Sequence, residues 1–322
     1  MLYLILFILV IILYIITVNK KSTPRSRIRV NAVLTSEDMD YDDVYYTIPE
    51  ILRSNFLSPA EKTALKRVKS LPLDLYYSMQ SLYSRRTKHY IYTKDEILPN
   101  YLKNNALQRL LEANILTKKI PDEEIKDFLL SFPAKILKEF SSKLGLPSKG
   151  TKKKIANLIA DKFSPEEILK SIPPEVEYYT FVPEVRSAYH KTIYYLIQKM
   201  EQEFIEKLKK LNANKNNRNF MYELRFELLY QILEFYMKDP IYKDYEKVKY
   251  YAEIDIKYLL NDFLKKNKGV STIPSIDYLF KIYLEEKKYN DALTLAKKMN
   301  KKGYFMEDEI DEVKELIKNK EV

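Results

Sequence analysis

The 322-residue chain contains no cysteine, no tryptophan, four glycines and two histidines. Without cysteine it can form no disulfide, no thiolate zinc site and no cysteine nucleophile. With so few glycines it offers neither a glycine-rich phosphate loop nor a Gly-x-Ser-x-Gly turn. His89 and His190 lie far apart, and neither has a metal-ligand pattern around it. We therefore expect both histidines to be packing or surface residues.

The acidic residues do not indicate catalysis either. A metal-dependent nuclease would use an E-x-K pair, and the sequence Glu312-Val313-Lys314 contains one near the end of the chain. Ile310 and Ile317 flank it at helical spacing, which predicts a charged surface helix. A calcium loop at residues 38–42 lacks the turn glycine and the distal glutamate. We therefore expect no catalytic residue, no metal site, no cofactor and no enzymatic activity.

Apolar, aromatic and basic side chains are abundant. Hydrophobic residues make up 46% of the chain, tyrosine occurs 28 times and the net charge is +10. Long helical periodicities and the scarcity of glycine predict a mainly α fold. A basic chain suits nucleic acid or an anionic lipid surface as partner. A Lys, Ile, Tyr and Asn bias also arises from an AT-rich genome, so local charge clustering is more informative than the total.

Residues 1–18 form an apolar run without a charged side chain. As a helix they would span roughly 27 Å, close to the hydrocarbon thickness of a bilayer. The basic flank from Lys20 to Arg29 then predicts a single-pass membrane protein, with residues 1–18 as transmembrane anchor and the C-terminal body in the cytoplasm. A cleaved signal peptide is the alternative, but no Lys or Arg precedes the run and no small-x-small cleavage site follows it.

Residues 19–57 are expected to form a charged juxtamembrane linker. Between residues 31 and 52 there are six acidic residues and no basic one. Little apolar periodicity accompanies them, which favours a solvated segment.

Residues 58–120 show the order helix, strand, helix, strand. Ser58 and Pro59 begin a helix that reaches about Lys69, and further helices are predicted over residues 73–83 and 106–113. Short extended segments follow the last two. This order is typical of a winged helix, with residues 105–113 as its recognition-type helix. A helical packing domain without nucleic-acid contact is the alternative.

Residues 121–170 contain two short amphipathic helices joined by a turn. Each helix has one apolar face, and the members of the two faces are Ile136, Leu137, Phe140 and Leu144, and Ile155, Leu158, Ile159 and Phe163. Gly145 and Gly150 lie between them, where a helix end and a turn need positive φ. Thr151 is placed to cap the second helix, and three lysines follow it. Free amides and ammonium groups at one helix start favour a phosphate ligand.

The motifs of this hairpin resemble the SAP domain, a helix-extension-helix module that binds DNA. They are Leu137-Lys138, Gly145-Leu146-Pro147, Gly150-Thr151-Lys152 and Leu158-Ile159. The resemblance implies that the turn, the start of the second helix and the side of the first approach the DNA backbone. The residues so placed are Lys138, Lys149, Gly150, Thr151, Lys152 and Lys153.

Residues 71–165 also resemble the middle region of the Fanconi-associated nuclease and its VRR-NUC relatives. The counterparts are the Leu-rich segment 106–116, then Phe128-Leu129-Leu130, then the SAP-like hairpin. In that family a helical repeat region and a nuclease domain follow. Here no β-rich segment remains to hold a nuclease site, so the nuclease domain is expected to be missing.

Residues 178–322 are predicted to form an α-helical C-terminal domain. Residues 276–300 resemble one tetratricopeptide-type helical pair, with Ala292 and Ala296 where two helices would approach closely. Irregular helical packing is the alternative. A protein partner is conceivable at these helices.

Three functions compete on this evidence. The first is a membrane-tethered DNA-binding protein that contacts duplex backbone through the hairpin. The second is a membrane-anchored helical adaptor that binds a protein partner, with its basic patch facing anionic lipid. The third is a nuclease whose catalytic domain is lost or unrecognisable. The hairpin's clustered lysines favour the first.

Overall fold

The computed structural model describes residues 41–84, 89–93, 102, 105–266, 272–304 and 306–320. Helices account for 74% of the structure, which confirms the mainly α prediction. The chain divides into two compact units, an N-terminal unit at Ser36–Lys199 and a C-terminal unit at Met200–Val322.

In the described ranges before residue 122, the N-terminal unit contains the α-helices α1 Tyr41–Arg53, α2 Pro59–Lys69, α3 Leu73–Tyr83 and α4 Ala106–Glu112. The predicted start of α2 is confirmed by a capping box. Ser58 Oγ accepts a hydrogen bond from the Glu61 amide, and the Glu61 carboxylate accepts one from the Ser58 amide. Pro59 occupies the first turn, where its missing N–H costs nothing.

Helix α1 lies in the stretch that was predicted to be a solvated linker. Val44, Ile48 and Ile51 are at most 1% exposed, because their spacing places them on one helical face. On the outer side, Glu50 accepts a hydrogen bond from Lys199 Nζ at 2.7 Å. The linker prediction is therefore wrong for residues 41–53, where acidic residues occupy the exposed face of an amphipathic helix.

The N-terminal unit contains a three-stranded antiparallel sheet in the order β1-β3-β2. Its strands are β1 His89–Thr93, β2 Leu116–Thr117 and β3 Val176–Phe181. The central strand β3 covers residue 178, the predicted first residue of the helical C-terminal domain. That boundary is wrong because β3 pairs with two strands far away in the sequence, a contact that local periodicity cannot reveal.

A helical module is inserted between the neighbouring strands β2 and β3. After a single 3₁₀ turn at Asp122–Glu124 it contains α5 Ile125–Ser131, α6 Ala134–Lys143, α7 Lys152–Lys162 and α8 Pro165–Lys170. We call residues 122–170 the hairpin module, and α6, α7 and their connecting turn the hairpin. Ile91 of β1 and Tyr178 of β3 pack against the module's apolar core. The module is therefore fixed to one side of the sheet.

The remaining helices begin with α9 Pro183–Lys209, which belongs to the N-terminal unit as far as Lys199. The others are α10 Leu211–Asn214, α11 Arg218–Tyr222, α12 Tyr230–Lys238, α13 Tyr245–Ile254, α14 Leu260–Lys266, α15 Pro274–Glu285, α16 Tyr289–Lys301 and α17 Glu307–Lys320. Glu312-Val313-Lys314 lies within α17 with Val313 fully buried, so the helical prediction for this triplet is confirmed. Ala292 and Ala296 are also fully buried.

The C-terminal unit encloses a buried ion pair between Arg225 and Asp255, which are 1% and 0% exposed. Arg225 Nε and Nη2 donate to the two carboxylate oxygens at 2.8 and 3.0 Å. Ser275 Oγ donates to the same carboxylate at 2.5 Å. Arg225 lies in a π-helical turn, Glu223–Leu229, and also donates to the Tyr230 hydroxyl five residues later. The i to i+5 repeat of a π-helix is what brings these two side chains together.

Among the residues that the structure describes, no helix is both long and apolar enough to cross a bilayer. Even α9, with 27 residues, carries charged side chains in both of its halves. The predicted transmembrane character and single-pass membrane location are corrected accordingly. The segment 1–18 on which that prediction depended lies outside the described residues.

Candidate nucleic-acid interface

The first helix of the hairpin ends in a Schellman motif. The Leu146 amide donates to the Ser141 carbonyl at 2.9 Å, and the Gly145 amide donates to the Ser142 carbonyl at 3.0 Å. Gly145 has φ of +71°, which a residue with a side chain adopts only under strain. The predicted positive φ at this helix end is confirmed.

The segment that follows turns back beside α6 before α7 begins. Ser141 Oγ donates to the Pro147 carbonyl at 3.1 Å, and Gly150 has φ of +134°. Thr151 then has extended backbone, and its Oγ1 accepts a hydrogen bond from the Lys154 amide at 3.3 Å. The predicted N-cap is confirmed. The amides of Lys152 and Lys153 precede the first intrahelical hydrogen bond and face outward, where an anion can accept from them.

The lysines predicted to contact DNA are accessible. Lys138, Lys149 and Lys153 are exposed and Lys152 is half-buried, while Gly150 and Thr151 are exposed between them. Within the described part of the module, none of these four lysines has a carboxylate partner. The turn and the start of α7 therefore present uncompensated positive charge.

Other lysines of the same module are ion-paired. Lys126 lies 3.0 Å from Asp161, Lys143 lies 3.3 Å from Glu175, and Lys170 lies 2.7 Å from Glu166. Lys126 lies in α5 and Lys170 in α8, whereas Lys143 is the last residue of α6, directly before the turn. The module thus divides its lysines into a paired set and an unpaired set.

Three further lysines belong to the unpaired set and were not among the predicted contacts, and one of them, Lys162, is the exposed last residue of α7 and lies away from the turn. Lys135 and Lys154 are exposed, and neither forms an ion pair with a described residue. Lys135 lies three residues before Lys138, so the two share the outer face of α6. That spacing was visible in the sequence and could have identified Lys135.

The core beneath this surface matches the prediction in part, since Ile136, Leu144 and Phe163 are half-buried and pack against its edge. Leu137, Phe140 and Ile159 are fully buried, but Leu158 is only half-buried. Ile155 and Ala156 are buried with Ile159, which centres the inner face of α7 between positions 156 and 159. At about 100° per residue, Leu158 lies roughly 110° from that centre. Its predicted place in the core is therefore wrong.

The predicted recognition-type helix α4 has few groups that could bind a nucleic acid. Arg109 is its one cation, and its Nη1 lies 2.8 Å from Asp74 Oδ2. The exposed Gln108 and Glu112 are hydrogen-bonded to each other at 3.0 Å. A phosphate approaching α4 would therefore meet one compensated cation and one carboxylate.

Both histidines are buried packing residues. His89 is 2% exposed, with its ring edge-on to Phe128 and its Nε2 3.6 Å from the Glu124 carboxylate. His190 Nδ1 lies 2.6 Å from the Tyr83 hydroxyl. Within the described ranges, no group of three or more acidic or histidine side chains is arranged to hold a metal ion.

Comparison of the chain with known protein families and with curated proteins gives no match. The likeness to the SAP domain therefore rests on the hairpin's own residues.

Proposed function

We propose that this protein binds duplex DNA through its sugar-phosphate backbone. The contact surface consists of the hairpin turn, the first turn of α7 and the outer side of α6. One observation carries the proposal: Lys149, Lys152 and Lys153 of the turn and the start of α7, together with Lys138 of α6, lack carboxylate partners, whereas Lys126, Lys143 and Lys170 of the same module have them. Unpaired lysines next to free helix amides are suited to phosphate oxygens.

Duplex is favoured over single-stranded nucleic acid at this surface. Binding of single strands usually needs aromatic rings on which bases stack. The exposed large apolar side chains of the described chain all lie outside the hairpin module. A surface that has positive charge and free backbone amides but no exposed aromatic ring is suited to phosphates. Phosphate contacts position a protein on DNA without reading the base sequence.

We further propose that the hairpin is SAP-like and that its scaffold is winged-helix-like. Helices α3 and α4 with the sheet β1-β3-β2 would form the scaffold, and the module occupies the connection between β2 and β3. The DNA-facing element would then be the inserted module and not α4, because Arg109 of α4 is already paired with Asp74. In the C-terminal unit, the buried Ala292 and Ala296 support a tetratricopeptide-like packing of α15 and α16, a surface for a protein partner. We propose a binding role without catalysis.

The test is a titration of the full chain with a fluorescent duplex at several salt concentrations. Lys152→Ala combined with Lys153→Ala should lower the slope of log K against log salt by about two, because two phosphate contacts are lost. The weakening should be uniform across duplex sequences. Lys138→Ala alone should lower the slope by about one.

The matched control removes two paired lysines from the same module, Lys126→Ala with Lys170→Ala. It lowers the net charge equally, and its duplex affinity should stay closer to that of the parent. Equal losses in both double variants would show that only total charge matters and would overturn the assignment of the hairpin. The assignment would also be overturned if the variant with Lys152→Ala and Lys153→Ala had the same salt slope as the parent.

A further inference from the structure

The C-terminal unit carries a second basic surface, formed by Lys209 and Lys210 at the end of α9 and by Arg218 at the start of α11. Lys209, Lys210 and Arg218 are exposed, and none forms an ion pair with a described residue. The neighbouring Lys207 differs, because its Nζ lies 2.5 Å from the Glu223 carboxylate. The segment 209–218 adds several exposed asparagines and no acidic residue. Lys209, Lys210 and Arg218 are therefore open to an external anion.

An exposed aromatic ring adjoins these cations. Tyr222, the last residue of α11, is 57% exposed. One face of its ring stacks on Phe226, with centroids 5.0 Å apart and an interplanar angle of 26°. Phe226 in turn contacts the rings of Tyr230 and Phe263 at 5.1 and 5.8 Å. Tyr222 therefore stacks on a cluster of rings and keeps more than half of its surface exposed.

The buried ion pair of Arg225 and Asp255 contacts this cluster of rings. The Arg225 guanidinium lies 4.1 Å from the centroid of the Phe263 ring and is bound to both oxygens of Asp255. The π-helical turn Glu223–Leu229 begins directly after Tyr222. Such turns are rare and occur frequently at functional sites. The Tyr222 ring therefore lies directly before the turn that carries Arg225.

Arg218 and Tyr222 are four residues apart on α11, so their side chains emerge on the same side of the helix. An open aromatic face beside unpaired cations matches the chemistry of a single-stranded nucleic acid, whose bases stack on rings while its phosphates pair with Lys and Arg. A duplex cannot offer the face of an unpaired base. An acidic peptide would use the cations but would leave the ring without a partner.

We propose that this surface binds a single-stranded nucleic-acid segment, with one base stacked on Tyr222 and backbone phosphates held by Arg218, Lys209 and Lys210. The proposal does not depend on duplex binding by the hairpin, because it uses other residues in the other unit.

The test uses the full chain carrying Lys152→Ala and Lys153→Ala, so that binding by the hairpin does not contribute. The probe is a labelled oligothymidine containing 5-iododeoxyuridine. Tyr222→Ala should weaken its binding about 5- to 150-fold, the range for loss of one base–aromatic stack. Tyr222→Phe keeps the ring and should bind like the parent. Arg218→Ala should lower the salt slope by about one.

Tyr250→Ala is the matched control. Tyr250 lies in the same unit and is 54% exposed, but its helix carries Glu246 and Glu253 nearby. Its replacement should leave oligothymidine binding unchanged. Photo-cross-linking followed by trypsin should place the adduct on the peptide Asn219–Arg225, in which Tyr222 is the single tyrosine.

Parental affinity of Tyr222→Ala, or an adduct confined to other peptides, would overturn the proposal. So would displacement of the oligonucleotide by polyglutamate with equal potency in Tyr222→Ala and the parent, because that result indicates a surface for acidic protein segments. Loss of duplex binding by the hairpin variant leaves these outcomes unaffected, so the two proposals fail separately.

Discussion

The hairpin module and the C-terminal unit are both rich in lysine, but they differ in where their charged side chains lie. The module has an apolar core of residues such as Phe128, Phe140 and Ile159, and its charges lie outside. The C-terminal unit buries an ion pair, Arg225 with Asp255, within its helices. The number of charges in a segment therefore says less about its role than whether each charge has a partner.

The molecule also has two kinds of basic surface, one with ion-paired lysines and one with unpaired lysines. Where lysines have carboxylate partners, as Lys247 has Glu201 at 2.9 Å, they tie helices together. Where they lack partners, as Lys152 and Lys153 do in the hairpin and Lys209 and Lys210 do at the end of α9, they remain available to an external anion. We therefore expect paired charges to stabilise the fold and unpaired charges to bind ligands.

The largest expected effect is on the buried pair of the C-terminal unit. Arg225→Met should lower the free energy of unfolding by about 3–5 kcal/mol, because Asp255 is left buried without its counter-ion. Lys314→Met is the control, since its pair with Asp311 is exposed and should contribute about 0–1 kcal/mol. Urea denaturation monitored by circular dichroism provides the measurement. A loss at Arg225 no larger than that at Lys314 would contradict the contrast between buried and exposed charge.

The stability of the module should depend on the size of the apolar side chains in its core. Ile159→Ala should cost about 2–5 kcal/mol, because the side chain is fully buried and its removal leaves a cavity. Leu158→Ala, one residue away and half-buried, should cost clearly less. Hydrogen exchange of the α7 amides can compare the two variants. Equal destabilisation would mean that the inner face of α7 is misassigned.

The two units should respond to acid in opposite directions, since each encloses a perturbed carboxyl group. Burial works to raise the pKa of Glu61, but hydrogen bonds from Lys191, Ser187 and Ser58 outweigh it and lower the pKa to about 2. Burial raises the pKa of Asp277 to about 6, although the Tyr304 hydroxyl donates to it at 2.7 Å.

The folded N-terminal unit therefore releases the Glu61 proton more readily than the unfolded chain does. Its contribution to stability is present above pH 4.5 and is lost as the pH falls towards 2. Asp277 binds its proton more tightly in the folded state, so it destabilises the C-terminal unit as the pH rises from 3.8 through 6. As the pH falls from 7 to 4.5, the C-terminal unit should become more protected from hydrogen exchange. Over the same range the contribution of Glu61 to the stability of the N-terminal unit should stay constant.

Hydrogen exchange corrected for intrinsic rates can measure both units in one experiment. Asp277→Asn should remove the acid-induced gain, and Glu61→Gln should remove the loss below pH 4.5. A parallel change of both units in the parent between pH 7 and pH 4.5 would contradict the assignment of the raised pKa to Asp277.

Features with a local cause could be predicted from the sequence. The bounds of α3 and the cap of α2 follow from periodicity and from Ser58-Pro59. The hairpin turn follows from Gly145, and Thr151 indicates where α7 begins. Each of these signals involves residues within a few positions of one another, which is the range over which propensity and capping act.

Features with a distant cause could not be predicted. Strand β3 forms because β1 and β2 pair with it across long stretches of chain. The pairing of Lys126 with Asp161 likewise depends on the fold, so the sequence could show a cluster of lysines but not which members were free. For the candidate site, the sequence identified Lys138, Lys149, Lys152 and Lys153, and the structure adds the distinction between paired and unpaired charge.

Lysine acylation of the full chain with and without a duplex tests the central claim most directly, because every lysine reports in one experiment. Bound duplex should lower the reactivity of the unpaired hairpin lysines Lys138, Lys149, Lys152 and Lys153. The ion-paired Lys126, Lys143 and Lys170 of the same module should react at unchanged rates. Protection of the paired set, or no protection of the unpaired set in the presence of saturating duplex, would contradict the account.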